Sequence, residues 1–160
     1  GIMNWFALPS IINNTIVHNR PNAIELGPTT LPEWSWQAQP QPVLNNIIWQ
    51  NEMHIYEIEY FSPEQYDIRF NDIQGGWEGE GNIDVDPCFK DPQKRDYHLK
   101  SQAGRWDPKS ESWVQDDVTS PCIDAGDPNT PIGLEPIPNG GIINMGAYGG
   151  TGEASKSPAN

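Results

Sequence analysis

The chain writes one short phrase three times: Ile11-Ile12-Asn13-Asn14-Thr15-Ile16-Val17, Val43-Leu44-Asn45-Asn46-Ile47-Ile48-Trp49 and Ile68-Arg69-Phe70-Asn71-Asp72-Ile73-Gln74. Aligned, the phrases place Asn14, Asn46 and Asn71 in one column. An aliphatic column (Ile11, Val43, Ile68) precedes it and another (Ile16, Ile48, Ile73) follows it. One structural unit is therefore used at least three times, at intervals of 32 and 25 residues.

Apolar, β-branched residues at alternate positions suit half-buried strands and leave no helical stripe. A second short phrase precedes two of the repeats, Gly1-Ile2-Met3-Asn4 and Ala23-Ile24-Glu25-Leu26, and His54-Ile55-Tyr56-Glu57-Ile58 is the counterpart before the third. Each unit thus holds at least two strands separated by turn residues such as Pro9-Ser10, Gly27-Pro28 and Ser62-Pro63. Short strands that stack on their equivalents in the next unit make a parallel β-solenoid, whose interior columns are ladders of like side chains. Asn14, Asn46 and Asn71 are then expected to stack as a hydrogen-bonded ladder, since each amide carries two donors and an acceptor. Three solvent-exposed turn asparagines are the alternative.

The coils read as 1–22, 23–53 and 54–80, with a degenerate fourth at 81–100. The second is lengthened by the insertion from Thr29 to Pro40, expected as an outer loop. Residues 101–150 lack the repeat and are rich in Asp, Pro and Gly. They read as an irregular cap over the last coil, where strand edges need cover. Residues 151–160 read as an extended tail.

These phrases, with Gly-Asn-Ile-Asp-Val-Asp-Pro (81–87), Ser-Pro-Cys-Ile-Asp-Ala-Gly-Asp-Pro (120–128) and Ile-Asn-Met-Gly-Ala-Tyr-Gly-Gly (143–150), resemble the C-terminal part of large secreted bacterial right-handed parallel β-helix proteins. The resemblance covers nearly the whole chain and implies an all-β, right-handed parallel β-helix of about three to four coils, at an extracellular or cell-surface address. It implies no reaction, because this fold serves lyases, hydrolases, adhesins and structural proteins alike. Secretion also favours a disulfide between Cys88 and Cys122, the two cysteines of the chain, over two free buried thiols. Such a bridge contributes roughly 3–4 kcal/mol in the loop-entropy picture.

Hydrophobic residues make up only 36% of the 160, but seven Trp, five Tyr and four Phe supply enough apolar area for a narrow packed core. The 16 Pro and 15 Gly fit frequent turns. A formal charge of −13 without a basic stripe argues against nucleic acid as a partner. No apolar run is long enough to span a bilayer, and no export signal is recognisable. Because Gly1 begins inside a coil, the expectation is a fragment or processed product, with earlier coils and any signal upstream. Its partners would be those coils, another copy, or another β-rich chain meeting the N-terminal face.

Closely spaced carboxylates with turn carbonyls suit Ca²⁺, which nominates Asp84 and Asp86, then Asp124 and Asp127. The same aspartates serve equally as turn caps. Asp116-Asp117 reads as a solvated acidic turn, and His18, His54 and His98 as surface or turn residues without metal-ligand spacing. No catalytic set is legible: Arg20, Arg69, Arg95 and Arg105 share no column, and Asp67 and Asp72 have no partners in neighbouring coils. Trp34 and Trp36, beside Gln37 and Gln39, are candidates to stack on sugar rings, or else to fold back as packing. Trp49 and Trp77 are expected to pack locally, and Trp106 and Trp113 to anchor the cap. Asn13-Asn14-Thr15 matches a glycosylation sequon but lies within a strand phrase. The expected function is a non-catalytic structural or adhesive module, glycan-binding and self-associating through its open first coil. The alternative is the C-terminal part of a polysaccharide lyase or glycoside hydrolase.

Overall fold

Each repeated phrase folds as two short strands hinged at a corner. The computed structural model describes residues 1–4, 9–26, 40–57 and 66–158. In the first phrase, β2 (Ile11–Ile12) and β3 (Thr15–Val17) flank Asn13-Asn14; β1 (Ile2–Asn4) comes before them. The same order follows as β4 (Asn22–Leu26), β5 (Gln41–Leu44) and β6 (Ile47–Trp49), then as β7 (Met53–Glu57), β8 (Tyr66–Arg69) and β9 (Asp72–Ile73). The corner is turned by a left-handed residue in each round: Asn13 at φ 55, Asn45 at 57 and Phe70 at 53. Asparagine takes this region at little cost, whereas a phenylalanine must be held there. Phe70 is held by both backbone groups: its N–H donates to the Glu80 carbonyl (2.8 Å) and its carbonyl accepts from Asn45 N–H (2.9 Å).

Corresponding strands of the three rounds pair in parallel, giving three three-stranded sheets ordered β1-β4-β7, β2-β5-β8 and β3-β6-β9. The registers align Ile2 with Ile24 and Ile55, Ile11 with Val43 and Ile68, and Ile16 with Ile48 and Ile73. These nine aliphatics, one column from each sheet, pack as a single cluster with Ala23, Leu26, Tyr66 and Trp77. Fully burying one such side chain stabilises by about 1.5–3 kcal/mol, as an upper estimate against an extended chain. The fold is therefore all-β with parallel sheets, and the repeat columns are its core.

After β9 the chain turns through Gly75 and Gly76 and runs beside the third round. Ile73 N–H donates to the Ile83 carbonyl (2.9 Å), and Ile83 N–H to the Asn71 carbonyl (2.8 Å). Only this first part of the expected fourth coil continues the parallel pattern. Beyond it, β10 (Phe89–Asp91) and β11 (Asp96–Leu99) pair antiparallel around a single 3₁₀ turn at Pro92–Lys94, and β12 (Arg105–Asp107) pairs antiparallel with β13 (Ser112–Val114).

The C-terminal segment is a lateral buttress, which corrects the expectation of an end cap over 101–150. Alternation along β6 sends Ile48 inward and Ile47 outward. Ile47 is nevertheless fully buried, in a second cluster with Phe89, Leu99, Cys122, Ile123 and Met145. The buttress touches every round: Ala147 N–H donates to Thr15 Oγ1 (3.0 Å), Gly146 N–H to the Asn45 carbonyl (2.7 Å), and Cys122 Sγ to Asp72 Oδ2 (3.1 Å). The outer face of the third sheet carries Val17, Ile47 and Trp49 beside the polar Thr15 and Asp72, so the buttress both covers apolar surface and supplies hydrogen-bond partners there.

Candidate functional site

The asparagine columns fix the corners on which any site is built. Asn46 Oδ1 accepts from both the N–H (2.9 Å) and the Nδ2 (3.1 Å) of Asn14, and Asn71 Oδ1 accepts from both nitrogens of Asn46 at 2.9 Å. Asn82 Oδ1 continues the ladder, accepting from Asn71 N–H (2.9 Å) and Nδ2 (3.2 Å). A second ladder stands at the next corner, where Asn51 Oδ1 accepts from Asn19 N–H (2.9 Å) and Nδ2 (3.0 Å). Sequence reasoning missed it, although Asn19 and Asn51 follow Asn14 and Asn46 at one common offset.

That second corner carries the candidate binding site. His18 (φ 56) and Gln50 (φ 53) are both left-handed and therefore project side by side from successive rounds. With Asn19, Arg20, Asn51 and Glu52 they line an open hollow of about 520 Å³. Its walls are rigid because Asn51 Nδ2 is engaged by the Ile16 carbonyl (2.8 Å) and the Trp49 carbonyl (3.1 Å). The His18 ring lies 6.5 Å from that of Tyr97. The guanidinium of Arg20, the amide of Gln50, the imidazole of His18 and the carboxylate of Glu52 offer donors and acceptors at the spacing of stacked rounds. Such a set matches a hydroxyl-rich or carboxylated ligand better than an apolar one.

The carboxylates nominated for metal are not gathered. Asp84 and Asp86 are exposed, and Asp86 Oδ1 caps Cys88 N–H (2.9 Å). Asp127 lies 3.5 Å from the Arg69 guanidinium and caps Asn129 N–H (2.9 Å). Asp124 Oδ1 accepts from Gly140 N–H (3.0 Å) and Ser157 Oγ (2.7 Å). Among the described residues, no group of three or more His, Cys, Asp or Glu side chains could hold a metal ion. Trp34, Trp36, Gln37 and Gln39 lie outside the described residues.

The expected Cys88–Cys122 disulfide is corrected: both thiols are free. Cys122 Sγ is directed to the buried Asp72 carboxylate instead, and burial pushes its thiol well above the ordinary range. Burial likewise raises the Cys88 thiol, with Asp86 adding to it. Asp72, on the outer face of β9, is fully buried by the buttress. Burial pushes its carboxyl up to about 6, opposed by bonds from Cys122 and Val85 and reinforced by Asp84 and Asp86.

Two more expectations change with burial. His98 is an interior residue, 2.6 Å from Asp96 Oδ1 through Nδ1 and stacked on Tyr148 at 3.8 Å. Asp116 forms a buried pair with Arg105, Nε to Oδ2 at 3.0 Å and Nη2 to Oδ1 at 3.3 Å. Trp49 and Trp77 pack as expected, against the second and first clusters. Trp106 and Trp113 meet edge to face at 5.5 Å within the β12–β13 hairpin, and Lys156 Nζ lies 4.3 Å over Trp113. Asn13 of the sequon is half-buried, its Nδ2 donating to the Gly149 carbonyl (3.4 Å).

Comparison with known proteins adds one likeness. The model of a family described as disaggregatase related matches residues 70–126, from the corner before β9, through Asp72 and both antiparallel pairs, to the turn after Cys122. Neither the curated proteins nor the solved structures yield a match.

Proposed function

We propose that this chain is a right-handed parallel β-helix module with a structural or adhesive, non-catalytic role at the cell surface or in extracellular material, and that it binds saccharide at the His18–Glu52 hollow. The observation that carries this reading is the register of the rounds. Asparagines stack in ladders at both corners, and this regularity holds the polar residues beside them, His18 with Gln50 and Arg20 with Glu52, at a fixed spacing, as a surface that grips a repetitive polymer requires. Further support comes from the carboxylates: Asp67 is bonded to Arg69, Asp116 to Arg105, and Asp124 and Asp127 to turn amides. An acid–base pair needs one carboxyl kept available to each side of a scissile bond.

A second reading, the C-terminal part of a polysaccharide lyase or glycoside hydrolase, draws on the match of 70–126 to a disaggregatase-related family, whose description names an activity and not a scaffold. Incubation with a panel of polyuronates and neutral glycans distinguishes the two, with calorimetric binding, unsaturated-product absorbance and reducing ends read in parallel. The expected result is saturable binding without product, weakened at least about tenfold by Arg20→Ala, the loss of one charge-assisted hydrogen bond. Product formation would establish the enzyme reading, and absence of binding to every glycan would remove the adhesive one.

A further inference from the structure

Residues 154–157 form an extended strap drawn into the buttress: Ala154 is fully buried, and Ser155 and Ser157 are only 4% and 3% exposed. Lys156 N–H donates to the Gly104 carbonyl (2.8 Å) and Ser157 N–H to the Pro138 carbonyl (2.9 Å), so the strap ties the approach to β12 to the 135–140 segment. Its side-chain tie falls on one amide. Gly140 N–H donates to both Ser157 Oγ (2.9 Å) and Asp124 Oδ1 (3.0 Å), and Ser157 Oγ donates in turn to the same Asp124 oxygen (2.7 Å).

That amide follows an asparagine. Asn139-Gly140 is the single Asn-Gly pair in the sequence, the pairing most prone to spontaneous imide formation, because glycine has no Cβ to hinder attack of its nitrogen on the preceding side chain. In that reaction the Gly140 nitrogen gives its proton to solvent base and bonds to Asn139 Cγ. The Cγ–Nδ2 bond breaks, and the amide nitrogen takes a proton from solvent and leaves as ammonia. Water then opens the cyclic imide at either carbonyl, giving aspartate or isoaspartate. Asn139 is half-buried and Gly140 exposed, so water and base reach the pair. The strap opposes the first step in two ways: two acceptors hold the N–H against the rotation that carries the nitrogen onto Cγ, and the Asp124 carboxylate disfavours a second negative charge on that nitrogen. Main chain and carboxylate are also in close contact, since a Cβ at Gly140 would stand 2.2 Å from Asp124 Oδ2. Asn139 itself is tethered, its Nδ2 donating to the Glu135 carbonyl (3.2 Å).

We propose that Asn139 is a one-way modification site locked by the C-terminal strap: its conversion to aspartate or isoaspartate is slow while Ser157 and Asp124 hold Gly140 N–H, and the conversion, once made, releases the strap. The product replaces an amide donor with a carboxylate that faces the Glu135 carbonyl, in a chain already carrying −13. Isoaspartate further adds a carbon to the main chain immediately before Gly140. Its N–H is then carried off both acceptors.

The test is timed peptide mapping of the full chain at mildly alkaline pH, reading isoaspartate and the amide-to-acid mass gain at Asn139 in the folded parent, the urea-unfolded parent and Ser157→Ala. The folded parent is expected to convert at least about tenfold more slowly than the unfolded chain, and Ser157→Ala, which lacks one hydrogen bond of the lock, at least about fivefold faster than the folded parent. In Asn139→Asp, hydrogen exchange is expected to rise at the Lys156 and Ser157 amides and to remain slow at Ile48. Equal rates in folded and unfolded parent, or conversion of folded Ser157→Ala at the parent's rate, overturn the lock. Unchanged exchange at Lys156 and Ser157 in Asn139→Asp overturns the release. Should Ser157→Ala fail to fold by circular dichroism, Asp124→Asn takes its place, since it keeps an oxygen beside Gly140 but removes the charge: faster conversion supports the lock and the parent's rate overturns it.

Discussion

Asp72 is where a single side chain is most exposed to conflict between its chemistry and its place. It projects from the outer face of β9 into the second core, with Oδ1 accepting from Val85 N–H (3.2 Å) and Oδ2 from Cys122 Sγ (3.1 Å). Two bonds do not replace the hydration of a carboxylate, so burial raises its titration from 3.8 to about 6. The linkage follows from that direction. The folded chain holds the proton more tightly than the unfolded one, so the contribution of Asp72 to stability is fully present below about pH 3.8 and is lost as pH rises through about 6. At one pK unit per about 1.4 kcal/mol, the loss is on the order of 2–3 kcal/mol. Urea unfolding between pH 4.5 and pH 7.5, about the range that brackets this titration, is expected to show it in the parent chain and not in Asp72→Asn. An identical pH profile in the two proteins would show that Asp72 is solvated where the structure buries it.

At the level of elements, what the sequence discloses depends on whether a residue meets its own kind. Ile16, Ile48 and Ile73 stack on each other, as do Asn14, Asn46 and Asn71, so self-comparison of the chain reveals both the columns and the parallel sheets they imply. The second ladder was legible by the same means, in Asn19 and Asn51. The buttress was not, because its partners are unlike: Ile47 meets Met145 and Cys122, Thr15 meets Ala147, and Asp72 meets Cys122. Cys122 was read through the composition of secreted proteins, whereas its surroundings direct it to a carboxylate. The polar hollow was missed for a different reason, since it is made by left-handed corner geometry at His18 and Gln50 that no residue preference announces. Docking of the buttress rests on close approach at Gly146. Its φ is 89°, and a Cβ there would stand 2.8 Å from Ile47 Cδ1 and 2.9 Å from Thr15 Oγ1. Gly146→Ala is therefore expected to destabilise by about 2–4 kcal/mol. Hydrogen exchange should then rise at the Met145 and Ala147 amides and remain slow at Ile48, and uniform loss of protection across both would mean that sheets and buttress unfold as one unit.

For the molecule as a whole, the ladders give the stack a direction. Every linking Oδ1 accepts from the asparagine of the preceding round, as Asn46 does from Asn14 and Asn82 does from Asn71. Asn14 Oδ1 thus points to the first-round side, where it accepts nothing from the described residues, and β1, β2 and β3 are edge strands there. The opposite side is closed differently, since Asn82 Nδ2 is engaged by the Ile68 carbonyl (2.9 Å) and the Trp77 carbonyl (3.3 Å). Ile11 and Ile16 are only 3% and 7% exposed, so the first-round face offers backbone edges and an acceptor rather than aliphatic side chains. Two copies meeting head to head would bring acceptor against acceptor and antiparallel edges against a parallel register. A charge of −13 on each would add repulsion. Such a dimer has no donor for Asn14, whereas a parallel strand bearing its own asparagine supplies two. The chain is therefore expected to sediment as a monomer from about 10 to 500 µM at physiological salt, where screening leaves contacts under about 8 Å to decide association. A synthetic peptide of the sequence Pro9 to Asn19 is expected to shift the amide resonances of β2 and β3, and the same peptide with alanine in place of Asn14 to do so at least about tenfold more weakly. A salt-resistant dimer that the peptide leaves intact would show that association follows a surface other than the ladder end, and that the direction of the asparagines does not govern what the edge accepts.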